Sequence, residues 1–299
     1  MHFHNTFPLI SPAAYYAASE AGTTVVQTLD NYRLVCVNAL LFREGRVCED
    51  CLGKTVAWSG IKHGCYRSSR AASAIVASMQ VFHRAKGTWR DRVDAYIALN
   101  DASRRKFIVG GLPNERIAVK PNFLHIDPGQ GAGSGDYALF VGRLSKEKGL
   151  PCLLDAWSRL EGRFPLKIVG DGPLRSLVES HARADQSIEY LGPMSQEAVL
   201  QIVGEARLLI QPSECYETWP RVIVEAFAKG TPVLASNLGA MAEMVDHGRT
   251  GWLFSPEIPK PLQRKPGAAS PTGVRWPGSA TRRGPSSVKS TRRLAITRL

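Results

Sequence analysis

The sequence predicts an α/β protein built on two parallel sheets, and three observations carry that prediction. From residue 137 to residue 256 short apolar runs alternate with amphipathic ones about every ten to fifteen residues, the rhythm of strands joined by covering helices. The apolar runs, among them "LFV", "LKIV" and "RLLI", carry little polar alternation, as strands buried on both faces should. The chain has 299 residues, which suits two domains of roughly 150 residues each.

Taken in order, residues 22–26, "GTTVV", run into "QTL" and read as a short buried strand. Residues 70–85, "RAASAIVASMQVFHRA", form a helix with an apolar face. Residues 93–100 are a second apolar run, and 101–111 begin a helix capped by Asp101 or Ser103 and stopped by glycine. Residues 116–122 read as a strand ending in a turn. Residues 1–123 are thus expected to form a first domain with a cysteine-rich insert at 36–67. The stretch "HIDPGQGAGSGD" has turn residues and no apolar pattern, so 124–136 reads as a linker. Residues 137–256 then give strands at "YALFVG", "LKIVG", "SIEYLG", "RLLIQPS", "TPVLAS" and "TGWLF". The helices between them are "GLPCLLDAWSRLE", "PLRSLVESHARA", "SQEAVLQIVGEA", "PRVIVEAFAKG" and "GAMAEMVDHG". Residues 257–299, rich in Pro, Gly, Ser and Arg, are expected to be a disordered basic tail.

A hydrophobic share of 44% is ordinary for a cored protein. No run approaches the ~20 apolar residues of a membrane span, and "MHFHNTFPLISP" lacks the charged start and apolar stretch of a signal peptide. A cytoplasmic location is the expectation. The formal charge of +12 invites a nucleic-acid reading, but ten of the basic residues lie within 258–299, which holds no acid. Removing those ten from +12 leaves +2 on residues 1–257. A nearly neutral body argues against a specific nucleic-acid partner.

In an open parallel sheet ligands sit beyond the C-terminal ends of the strands. Residues 142, 170, 192 and 213 each follow a strand end, and three of them are glycine. Gly142-Arg143 opens the series, with Lys146 and Lys148 just ahead of a helix start, where cations are unfavourable unless an anion binds. Arg143 suits forked phosphate contacts and Lys148 adds a compact charge. Gly170 and Gly172 let backbone approach a ligand closely, and Gly192 repeats the device after Leu191. "PSECYET" then brings two carboxylates, Glu214 and Glu217. Glu225 follows on the second turn of the next helix, expected to face the same cleft. A carboxylate accepts paired hydrogen bonds from adjacent hydroxyls, which sugars and ribose offer.

"VGRLSKEKG", "VGDGP", "YLGPMSQE" and "ETWPRVIVEAFAKGTPVLAS", in this order, resemble the donor half of a retaining glycosyltransferase of the group-1 type, family 4, with the GT-B fold of two Rossmann-like domains. Residues 1–123 resemble the acceptor half of exopolysaccharide-type members through "HNTFPLISP", "NYR" and "KPNF". The resemblance implies a hexosyltransferase that moves a sugar from a nucleotide-diphosphate donor to a saccharide or lipid-linked acceptor, with retention, near a membrane face. It implies catalytic roles for Arg143 and Lys148 on the diphosphate and for Glu217 on the donor sugar. Gly142, Gly170, Gly172, Leu191 and Gly192 would lie against the nucleotide, Glu225 would bind the ribose, and no catalytic metal would be required.

This sequence departs from the family pattern in three ways. Asp30 stands where members usually carry a histidine near the reacting sugar, and Pro220 where many have glycine. The ends also differ: the first strands of the family are expected to be missing and its last helices replaced by the basic tail. These departures keep a catalytically inactive nucleotide-binding chain in view, and the architecture also admits a nucleotide-sugar epimerase. Apart from the family, Cys36, Cys48, Cys51 and Cys65 give C-x11-C-x2-C-x13-C, a looser spacing than a zinc ribbon but a set that could hold structural zinc; free buried or redox-active thiols are the alternative. His2 and His4 alternate on a strand, where packing and hydrogen bonding near a cleft explain them.

Overall fold

The computed structural model describes residues 1–7, 10–160 and 164–256; the tail read as disordered lies outside them. The first unit contains strand β1 (His2–Phe3), helix α1 (Ala13–Glu20), β2 (Val26–Thr28), a hairpin of β3 (Phe42–Arg43) and β4 (Arg46–Val47), and α2 (Trp58–Lys62). It continues through α3 (Arg70–Ala85), α4 (Thr88–Asp91), β5 (Ala95–Ala98), α5 (Asp101–Val109) and β6 (Ile117–Val119). The second unit contains β7 (Ala138–Val141), α6 (Leu150–Ser158), β8 (Leu166–Val169), α7 (Arg175–Ala184), β9 (Ile188–Gly192) and α8 (Gln196–Glu205). It ends with β10 (Leu208–Gln211), α9 (Arg221–Lys229), β11 (Val233–Ser236), α10 (Gly239–Met244) and β12 (Gly251–Phe254).

Both main sheets are parallel. The first runs β1-β2-β5-β6 and the second β12-β11-β10-β7-β8-β9. The absence of polar alternation follows from β7: Ala138 and Phe140 point into one core and Leu139 into the other, all three fully buried. In the first unit Tyr15, Tyr32, Tyr96 and Phe107 fill the core. Their burial is affordable because the hydroxyls find partners: Tyr15 donates to Gln27 Oε1 at 2.7 Å and Tyr96 to the Trp89 carbonyl at 2.7 Å.

One sequence expectation needs correction, and two features of the structure were not read from the sequence. Helix α5 is capped by Asn100, not by Asp101 or Ser103; its Oδ1 accepts from the Ser103 amide at 2.7 Å. Helix α1 carries no N-cap hydrogen bond and a weak apolar stripe, so its sequence did not signal a helix. The glycine-rich connection is laid onto the second unit: the amides of Gly131, Gly133 and Gly135 donate to the carbonyls of Lys229, Gly204 and Glu205, each at 2.9 Å.

The cysteine-bearing insert is irregular. Among the described residues, all five non-glycine residues with left-handed backbone (Ala39, Leu41, Glu44, Arg67 and Ser68) fall in or beside it. Glu44 and Gly45 join β3 to β4 with positive φ at both positions, as a two-residue hairpin turn requires. Local hydrogen bonds hold the rest, including Cys48 N to Leu41 O at 2.8 Å and Leu52 N to Glu49 O at 2.9 Å.

Asn100→Ala removes the α5 cap and a side-chain bond to the Thr218 carbonyl. It should lower stability by about 1 kcal/mol in urea unfolding; an unchanged midpoint would show that neither bond matters to the fold.

Candidate active site

In the second sheet, strand order reverses between β7 and β10, so the crevice of a doubly wound sheet lies there. The loop after β7 carries Arg143 and Lys148; the loop after β10 carries Ser213 to Thr218. Lys148 and Glu217 meet across this point, Nζ to Oε1 at 2.6 Å, with both side chains largely buried. Ser213, fully buried, donates to the same Glu217 oxygen at 2.6 Å, and Gln211 Nε2 reaches the Ser213 hydroxyl at 3.1 Å. Burial acts to lower the Lys148 pKa, but the charge and hydrogen bond of Glu217 outweigh it and hold the ammonium above its ordinary value.

Glycine geometry makes this meeting possible. Gly149 has φ +70°, and a Cβ there would lie 1.8 Å from the Pro212 carbonyl oxygen, so the β7 loop passes directly over the end of β10. A Cβ on Gly170 would lie 1.9 Å from the Gly142 carbonyl oxygen. The turns after β7, β8 and β9 are also tied in series: Gly142 N to Val169 O at 3.1 Å, Gly170 N to Gly192 O at 2.9 Å and Leu144 N to Asp171 O at 2.9 Å. Gly142, Gly170, Gly172, Leu191 and Gly192 therefore form one continuous edge. Arg143 stands exposed on it and makes no ion pair among the described residues.

Glu225, expected to face the same cleft, is almost wholly buried. It lies on α9, with its carboxylate 3.7 Å from the Arg221 guanidinium, and burial pushes its pKa up. Pro220 caps the same helix without a side-chain hydrogen bond.

The first unit faces this crevice with its own strand ends. Thr218 Oγ1 donates to the Asp30 carbonyl at 2.8 Å, and Asn100 Nδ2 donates to the Thr218 carbonyl. Arg105 pairs with Glu243 of α10 at 2.9 Å. The Asp30 carboxylate turns toward His4, Oδ2 to Nδ1 at 3.1 Å, while His2 Nε2 sits 2.8 Å from Thr28 Oγ1. A pocket of about 370 Å³ opens beside them, lined by His4, Thr6, Thr28, Asp30, Asn31 and Arg33.

The four insert cysteines line a separate pocket of about 290 Å³. All are free thiols, and among the described residues no group of three or more His, Cys, Asp or Glu is arranged to hold a metal ion. Burial raises the thiol pKa of Cys36 and Cys65, and that of Cys51 to about 11. Cys36 Sγ donates to Asn38 Oδ1 at 3.0 Å and Cys51 Sγ accepts from the Gly60 amide at 3.2 Å.

Sequence reasoning placed residue 213 at a ligand-side strand end without giving Ser213 a role, and it missed Gln211. The available signal was a glutamine in an otherwise apolar strand whose four residues are all buried. Tyr216 and Glu49, described below, carried no such signal.

Residues 135–265 match the family model described as Glycosyl transferases group 1. Over 135 residues the chain is 32% identical to an uncharacterized glycosyltransferase of Methanocaldococcus jannaschii, covering 44% of this chain and 38% of that protein. Over 197 residues it is 29% identical to phosphatidyl-myo-inositol mannosyltransferase of Mycobacterium tuberculosis, covering 62% of this chain and 51% of that protein. The chain thus spans about half or less of the length of these curated relatives. Among solved structures, HepE of Anabaena in complex with UDP and glucose superposes with a TM-score of 0.59 at 20% identity, covering 81% of this chain and 61% of that one. Sucrose-phosphate synthase of Thermosynechococcus elongatus gives 0.59 at 17% identity, covering 86% and 60%. The fold is of the GT-B type, and residues 135–265 are similar to the group 1 glycosyltransferases. No helix among the described residues is long and apolar enough to cross a membrane.

Two measurements check this description. With a pKa of about 11 rather than 9.0, Cys51 should react with a thiol reagent at pH 8 about 100-fold more slowly than an ordinary cysteine; faster labelling, or stoichiometric zinc in the purified protein, would show thiolates. The folded state holds the Glu225 proton to higher pH than the ordinary value of 4.5, so stability falls as pH rises through that window. Glu225→Gln should therefore raise Tm at pH 7.5 and leave it close to the unsubstituted value near pH 4; a lower Tm at pH 7.5 would contradict the burial argument.

Proposed function

We propose that this protein transfers a sugar from a nucleotide-diphosphate donor to a hydroxyl of a saccharide or lipid-linked acceptor, with retention at the anomeric carbon, in polysaccharide or glycoconjugate synthesis. The observation that carries the reading is the Lys148–Glu217 pair at the strand-order reversal, with Arg143, exposed and without an ion pair among the described residues, in the same loop as Lys148. Lys148 has three donors, so it can keep Glu217 and still meet a phosphate oxygen. Arg143 would fork onto the diphosphate, and the two cations would stabilise the charge that grows on the departing nucleotide. Glu217 would accept bonds from the sugar hydroxyls. As the anomeric C–O bond to phosphate breaks, the acceptor oxygen bonds to that carbon and its proton passes to the leaving phosphate on the same face. This reading calls on no metal, because the two side chains and the start of α9 supply the positive field. Matched relatives named as a mannosyltransferase and as a UDP complex support a nucleotide-sugar donor and a lipid-type or sugar acceptor.

Asp30 favours a second reading, a chain that binds nucleotide without transfer. Its carboxylate neither donates a hydrogen bond nor supplies positive charge to a diphosphate.

Titration with UDP separates these from a non-binding chain. Wild type should bind, and Arg143→Ala and Lys148→Ala should each weaken binding about tenfold or more, as loss of a charge-assisted contact does. Absence of UDP, ADP and GDP binding by wild type would remove both readings; nucleotide binding without transfer would leave the second.

A further inference from the structure

The loop that presents Glu217 is held from the far side by a group the donor chemistry does not use. Tyr216, the preceding residue, donates its hydroxyl to Glu49 Oε1 at 2.7 Å. Lys106 of α5 donates to the same oxygen at 2.6 Å, and its ammonium lies 4.7 Å from the centre of the Tyr216 ring. Glu49 sits between Cys48 and Cys51 in the irregular insert, so the first unit reaches the second through it. Burial acts to raise the Glu49 pKa, but the Lys106 and Tyr216 bonds outweigh this and hold it below the ordinary carboxylate value. Burial, with the Glu49 carboxylate beside it, keeps the Tyr216 phenol protonated and able to donate.

Glu217 is thus flanked by two residues fixed to the first unit. Tyr216 is tied to Glu49, and Thr218 to the Asp30 carbonyl and Asn100. On its own unit the loop is tied by Glu214 N to Glu147 O at 2.9 Å. The carboxylate that pairs with Lys148 therefore takes its position from both units. A short loop held at alternate residues has little freedom to move one acid without moving the anchors.

We propose that Glu49, with Lys106, is a positioning residue for the donor site. Through Tyr216 it sets where Glu217 stands, and hence how tightly the sugar part of the donor is held. The insert is then a strut of the active site. This rests on the donor-site reading above and adds a residue that touches neither nucleotide nor sugar.

The test compares UDP with UDP-glucose by titration calorimetry, using the full chain. Glu49→Gln keeps the shape and removes the charge; Tyr216→Phe keeps the ring and removes the hydroxyl. Tyr216→Phe should weaken UDP-glucose binding about tenfold, the size of one lost hydrogen bond to a charged group, and Glu49→Gln, whose amide oxygen still accepts but without charge, about threefold, while both leave UDP binding within about twofold. The double variant should be no weaker than Tyr216→Phe alone, because both substitutions act on the same link. A merely structural role would weaken UDP and UDP-glucose together, in step with the urea midpoint, and would overturn the proposal. Unchanged UDP-glucose affinity in both variants, with Lys148→Ala still weakening UDP, would overturn it while leaving the donor site intact. Where wild type binds ADP or GDP instead of UDP, the matching nucleotide-sugar replaces UDP-glucose in the comparison; failure to bind any of the three nucleotides would overturn both. If Glu49→Gln unfolds, the milder Tyr216→Phe decides alone.

Discussion

The contact between Lys148 and Glu217 is the constraint on which the rest of the site depends. It joins the first strand of the second unit to the fourth across the place where the sheet changes direction. Neither charge could be left alone in so enclosed a position without a large desolvation cost. Each therefore needs the other while the crevice holds no ligand, and the pairing keeps both at the distance a bound anion would find them. Gly149 enters here as well. Its lack of a side chain lets the lysine loop cross the end of β10, and any larger residue would strike the Pro212 carbonyl.

Around this pair the protein divides its polar groups between those that are satisfied and those that are not. Ser213 and the amide nitrogen of Gln211 back Glu217 from beneath, at 2.6 and 3.1 Å in series, while Gln211 Oε1 is buried without a hydrogen-bond partner among the described residues. Glu225, one helix away, has only an exposed arginine at 3.7 Å. A buried acid with so weak a partner costs stability, and proteins keep such costs where a ligand recovers them. The two acids that looked equivalent in the sequence differ in this physical sense: one is held ready by bonds, the other is held away from water.

Much of the second sheet was legible because its strands are buried on both sides. In β7, consecutive residues serve different cores, and that leaves an unbroken apolar run that sequence can hardly hide. The turns after β7, β8 and β9 were legible for a related reason, since close backbone approach leaves glycine as its trace. What could not be read was whatever depends on distant residues meeting. Asn100 caps α5 and also binds Thr218, more than a hundred positions away, so local capping preference pointed to its neighbours instead. Tyr216 and Glu49 are 167 apart in the chain. Helix α1 was missed because tertiary burial of Tyr15 and Ala18, not capping or periodicity, holds it.

The glycine-rich connection between the sheets has a mechanical consequence. Because Gly131, Gly133 and Gly135 are laced to α8, α9 and their ends, that part of the connection travels with the second unit. Lys229 also donates to the Pro128 carbonyl and the Lys120 amide is still bound to Ala98, so any swivel of one sheet against the other must be taken up in the residues between Lys120 and Pro128. The pivot is thereby kept to a few residues between the sheets, and any turn there has first to release Tyr216 from Glu49 and Thr218 from Asp30.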